Sequence, residues 1–257
     1  MPRSSRIRSA ALFAAAVCAA AISGGCARVP AGVSSGASGR QLTITMTVAG
    51  QINPNDYYFC VINNANDSNG TTGPVPVYAA PWGNGFVSGA ATQYVEYTGA
   101  NPGDGYVVRA FQPGSNLQVV SQQLAAPDQD TPVTTGSNTL EFRIPLSELA
   151  TSAVPASDIN YLQINFINTD TLPVNATSAN EKHDFDSLGD TTALQFNKYI
   201  TISTLQDTTY DNGTAGSIEP PNDVVSCTGS GANPVVPYTG ADAQNLDIVN
   251  WSVEISG

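Results

Sequence analysis

A chain of 257 residues with one histidine and four cysteines has few ways to do chemistry. His183 alone cannot complete a zinc centre of the usual His/Cys type. A Ser-His-Asp triad would have to use it as base, yet no Gly-x-Ser-x-Gly elbow occurs in a strand-to-helix context. The absence of a Walker loop and of a Rossmann strand-turn-helix argues against nucleotide chemistry. Carboxylates are the abundant reactive type, 21 in all. They allow paired-acid glycoside hydrolysis by number, but no motif singles out a pair. Charge concentrates in Glu181–Asp190 (EKHDFDSLGD), where Asp184, Asp186 and Asp190 offer the hard oxygens that Ca²⁺ takes. The competing reading is a solvated turn between strands. Asn64–Gly70 (NANDSNG) spaces oxygen side chains two apart before a glycine, a faint calcium-loop pattern without its closing Glu; otherwise it is an Asn/Gly turn.

Aromatic chemistry is concentrated in Gly73–Phe86 (GPVPVYAAPWGNGF). Proline and glycine fix an irregular path, and Tyr78, Trp82 and Phe86 supply ring faces of the kind that stack on sugars. The alternative is an aromatic plug over one end of the fold. Trp251, among alternating apolar neighbours, reads as core. Cys60 and Cys227 form an even pair after export and invite a disulfide; the alternative is a buried thiol at Cys60 and an exposed one at Cys227.

The elements that must position these residues are strands. Leu42, Ile44, Met46 and Val48 alternate with Thr43, Thr45 and Thr47, a half-buried strand with an apolar and a hydroxyl face. Tyr57–Asn63 is apolar on both faces, as a central strand is. Further runs lie at 94–97, 106–111, 117–123, 140–146, 162–166 and 199–205, with one helical turn beginning at Ser147-Glu148-Leu149. In the last run Leu246 and Ile248 hold one phase and Trp251, Val253 and Ile255 the other; the slip near Val249 and Asn250 predicts a β-bulge. No ten-residue helical period follows the N-terminal segment. The expectation is an all-β antiparallel sandwich, immunoglobulin- or jelly-roll-like, of about nine to ten strands in one domain. Stretches 64–91 and 206–244 carry no assignment.

The first 26 residues have a different grammar. Arg3, Arg6 and Arg8 precede an uncharged stretch from Ser9 to Ala21, then Ile22-Ser23-Gly24-Gly25-Cys26, the pattern of an export signal. The small residues before Cys26 resemble the lipobox of bacterial lipoproteins, with Ser23 where that family prefers Leu. The resemblance implies a thiol lipidated at Cys26, cleavage before it, and a membrane held through acyl chains, which contribute about 0.8 kcal/mol per buried CH₂. Ala27 and Arg28 follow, and without an Asp there the resemblance favours the outer membrane of a two-membrane cell. The alternative is an ordinary signal cut near Ala27. Residues 1–25 are thus read as signal, 26–39 as lipidated Cys and flexible tether, and 40–257 as the domain. Without the signal, six basic residues face 21 acidic ones, a formal charge near −15. That argues against a nucleic-acid partner, which requires a basic patch.

Asn138–Leu149 (NTLEFRIPLSEL) and Asp56–Asn64 (DYYFCVINN) resemble strands of family-9-type carbohydrate-binding sandwiches and the related DOMON domains, over about 25 residues. The resemblance implies a sandwich that binds sugar or haem. Haem would need axial Met and His, for which Met46 and His183 are the candidates; the role is not carried over to them. The sequence therefore reads as an exported, lipid-anchored, non-catalytic binding module for glycan or peptide, with no cofactor beyond the Ca²⁺ considered above. The alternatives are a structural or assembly lipoprotein of the cell envelope, pairing with an envelope protein, and a secreted hydrolase using two acids.

Overall fold

The computed structural model describes residues 39–112, 120–173, 177–178, 180–195, 198–213, 219–227 and 235–257. The signal, Cys26 and nearly all of the tether lie outside them. Strand β1 (Gln41–Val48) shows the alternation in its burial: Leu42, Ile44, Met46 and Val48 point inward, and the hydroxyl row is half-buried. It is the middle strand of a five-stranded sheet. On one side lie β9 (Thr139–Pro145) and β8 (Gln129–Asp130); on the other lie β16 (Ile248–Ser256) and β13 (Thr208–Asp211). Thr47 pairs with Asn250 and Val48 with Ile248, so Val249 is the extra residue of a bulge where the sequence slips phase.

A nine-stranded sheet faces it. Its order runs β15 (Val235–Pro237), β14 (Val225–Cys227), β11 (His183–Ser187), β10 (Tyr161–Thr169), β2 (Tyr57–Asn63), β5 (Gln93–Tyr97), β6 (Tyr106–Phe111) and β7 (Val120–Ala125). One edge of β10 is shared, its first half with β12 (Ile200–Ser203) and its second half with β11. All pairings are antiparallel. The inward rows of both sheets meet in one apolar seam, where the Phe166 and Trp251 rings lie 6.0 Å apart. Each such side chain, once buried, contributes about 1.5–3 kcal/mol.

The outer face of the nine-stranded sheet is also covered. A small hairpin, β3 (Pro74–Pro76) with β4 (Val87–Gly89), and its neighbours lie over it, forming one cluster with Phe59, Val61, Tyr94, Phe111 and Ile167. A second cluster holds Val77 and Trp82 with Phe185, Val225 and Cys227. This is why β2 is apolar on both faces. The nine runs read from the sequence are present as β1, β2, β5, β6, β7, β9, β10, β12 and β16. No pattern in the sequence marks the short β3, β4, β8, β11, β13, β14 and β15, whose two to five residues form no alternating apolar run.

Candidate functional site

The aromatic run does not form a shared open face. Trp82 is fully buried, donates from Nε1 to the Ser178 carbonyl at 2.8 Å, and meets the His183 ring edge-on at 5.2 Å. Phe86 stacks on Phe59 with centroids 4.0 Å apart. Tyr78 alone of the three is exposed, at 37%. The sugar-stacking assignment of Tyr78, Trp82 and Phe86 is corrected: the apolar outer face of the sheet takes up two of the rings.

The disulfide assignment is also corrected. Cys60 points into the seam and Cys227 into the outer cluster; both thiols are free and buried, and burial pushes both up. Met46 and His183 lie on opposite sides of the nine-stranded sheet, so they share no haem axis. His183 is held at about 4 by burial, with Nδ1 3.0 Å from Thr169 Oγ1. In the Asn64–Gly70 turn two of the side-chain oxygens are taken by backbone donors. Asn66 Oδ1 accepts the Asn160 and Tyr161 N–H groups, and Asp67 Oδ1 accepts that of Asn69.

Alternation along β11 separates its residues by face. His183 and Phe185 point outward, whereas Asp184 and Asp186 share the inner side. Asp184 is half-buried near Ser226 and Tyr238. Asp190 is spent on a local turn, accepting from Thr192 Oγ1 and the Ala193 N–H, which lower its carboxyl. Only Asp186 goes deep. The proposed Asp184–Asp186–Asp190 grouping is therefore corrected, because the three carboxylates lie in three different environments.

Asp186 gathers other partners. One oxygen each from Asp186, Asp223 and Asp247 lies within 4.8 Å of the other two. Glu219 is a fourth acid of the group, near enough that the charges of Asp186, Asp223 and Asp247 all raise it. All four are sealed from solvent, at 0% for Asp186, 3% for Glu219 and 2% each for Asp223 and Asp247. Backbone N–H groups hold them: Ile248 on Asp186, Thr191 on Asp223, Asn222 on Asp247 and Gly189 on Glu219. Gly189 sits at φ +101°, and a Cβ there would collide with the Gln195 carbonyl. Asp186 Oδ2 accepts from Ile248 across the seam at 2.6 Å, and Asn168 Nδ2 donates to the Leu246 carbonyl at 2.8 Å, so the group ties one end of the two sheets together.

No cation balances this group among the described residues. Arg40 pairs with Asp207, Arg109 with Glu96, and Arg143 donates to Thr43. Lys182 and Lys198 are exposed. Burial, then mutual repulsion, pushes Asp186 and Glu219 far above the carboxylate range; burial foremost raises Asp223 to about 7 and Asp247 upward. The oxygen-only set suits a hard cation. Nothing in the sequence marked it, since its members are Asp186, Glu219, Asp223 and Asp247, three of them absent from any motif.

Two open clefts also lie among the described residues. One, of about 420 Å³, is walled by amides (Gln51, Asn53, Asn245), hydroxyls (Thr134, Thr135) and the Tyr97 ring; its described lining includes no charged residue. The other, of about 390 Å³, is charged, with Asp128, Asp130, Glu141 and Arg143 in its walls. Comparison with known proteins finds no family model, no curated protein and no solved structure that matches the chain.

Proposed function

We propose that the chain is an exported lipoprotein, anchored at Cys26, whose sandwich binds a neutral glycan without catalysis. The observation that carries the binding reading is the first cleft. In a protein of net charge −12, its walls carry amides, hydroxyls and a tyrosine ring and no charge. Amides and hydroxyls match the donors and acceptors of sugar hydroxyls, and a ring with a polar tip serves both faces of a sugar. Gln51, Thr134 and Thr135 are exposed at its rim and available to a ligand. The anchor reading rests on the basic head, the apolar stretch and the small residues before Cys26.

The test uses the full chain in detergent micelles against a panel of envelope polysaccharides. The proposal expects a neutral polysaccharide to be retained. The double change Gln51→Ala and Thr135→Ala then weakens retention at least tenfold with an unchanged melting midpoint. Retention of none of the panel, or retention indifferent to the double change, contradicts it. Metabolic labelling with palmitate checks the anchor: label on the wild type and none on Cys26→Ser is the expected result.

A further inference from the structure

Beyond the cleft, the molecule contains a site that faces no solvent. Three observations at the Asp186 group point to a bound ion. The first is the spacing of one oxygen each from Asp186, Asp223 and Asp247 within 4.8 Å. Ca²⁺ binds oxygens at about 2.3–2.6 Å, so two ligands on opposite sides of it stand roughly 4.6–5.2 Å apart. The second is a neutral oxygen that lacks a donor. Asn168 is fully buried, lies directly opposite Asp186 in the β10–β11 pair, and shares its face. Its Nδ2 is fixed on the carbonyl of Leu246, next to Asp247, which sets the amide between those two acids. Its Oδ1 has no donor among the described residues. Glu219 Oε1 and Asp223 Oδ1 are likewise without one.

The third observation is charge. Four buried carboxylates with no basic partner are held by N–H donors that favour the ionised form. The internal segments outside the described residues contain no Lys or Arg, so none of them supplies the missing charge. The donor set narrows the ion. It contains no His or Cys, which zinc and other softer metals favour, and His183 faces the opposite side of β11. Mg²⁺ keeps several waters in a strict octahedron, which a sealed group of protein oxygens does not accommodate.

We propose that Asp186, Asp223 and Asp247, with Glu219 and the Asn168 amide oxygen, form a buried Ca²⁺ site. It pins the 219–223 segment and the start of β16 to the β10–β11 end of the nine-stranded sheet. The site is independent of what the cleft binds.

The test is thermal unfolding of the full chain in detergent, stripped with EGTA and then supplied with millimolar CaCl₂, beside calorimetric titration. Ca²⁺ raises the midpoint by roughly 5–10 °C, the shift for saturation well above Kd in a domain of this size, and one Ca²⁺ binds per chain. MgCl₂ gives less than half that shift. Asp223→Asn and Glu219→Gln each abolish the shift and the heat, whereas Asp190→Asn keeps both. Should Asp223→Asn fail to fold, Glu219→Gln and the wild-type stoichiometry decide. Absence of wild-type binding at millimolar Ca²⁺ overturns the proposal. Binding that survives both Asp223→Asn and Glu219→Gln overturns it too, by placing the ion elsewhere.

Discussion

The seam around Phe166 and Trp251 and the acid group around Asp186 are closed to solvent alike, at 1% exposure for both rings and 0% for Asp186. The seam is stable on its own terms, since apolar area removed from water favours folding under any buffer. The acid group is conditional. Its carboxylates lose hydration and repel one another, so it needs protons or a cation before it contributes anything. Equal burial thus conceals opposite energetics, and the two regions respond to different perturbations.

The largest response belongs to the seam. Trp251→Ala removes a ring packed against Phe166 and costs about 3–5 kcal/mol, read by denaturant unfolding with or without Ca²⁺. Trp82→Ala costs a similar amount, about 3 kcal/mol, because Trp82 is core on the outer face. Glycan retention in the folded fraction stays unchanged; selective loss of retention with full stability would restore Trp82 as a ligand-stacking ring. At the acid group, Asp186→Asn has an effect whose sign depends on the buffer. In saturating Ca²⁺ it costs about 2–4 kcal/mol; in EGTA it stabilises, because folding at neutral pH no longer has to protonate a buried acid whose folded value is raised. The same sign in both buffers would break the contrast between the regions.

Next in size is pH. In EGTA, Asp223 holds its proton up to about 7 in the folded chain, well above the ordinary carboxylate value. A raised acid contributes stability that is complete below the unfolded value and lost as pH rises through the folded one. Asp186, Glu219 and Asp247 shift the same way. The midpoint therefore rises by a few degrees from pH 8 to pH 6.5. Below that His183 opposes it: lowered to about 4, it gives stability present above its unfolded value near 6.5 and lost as pH falls toward 4. A flat profile from pH 8 to 6.5 in EGTA contradicts the picture. The smallest effect is at the thiols. Cys60 and Cys227 are free and buried, so reductant leaves the midpoint unchanged and a thiol reagent reacts only after unfolding.

The same contrast explains what could be read in advance. The seam was legible because alternation is local: Leu42, Ile44, Met46 and Val48 reveal their face within eight residues, and the phase slip at Val249 revealed the bulge. Tyr57–Asn63, apolar on both faces, reads as a central strand, and the structure supplies the cover over its outer row. The cover of the same sheet face includes Trp82, whose Gly- and Asn-rich surroundings suit an open loop and an aromatic plug alike until the fold brings the chain down over the sheet. The acid group had no local signature. Asn168, Asp186, Glu219, Asp223 and Asp247 come from two strands and two connecting segments, and tertiary pairing alone unites them. In the sequence Asp186 stands out only through its neighbours Asp184 and Asp190, which strand alternation and a turn direct elsewhere.

The most direct test of the acid group is a crystal of the chain grown with Ca²⁺ and re-examined after exchange into a lanthanide of similar size. The account predicts one strong anomalous peak between Asp186, Asp223 and Asp247, with the Asn168 amide oxygen in its coordination shell. A peak elsewhere in the chain, or none at the Asp186 group, would contradict it.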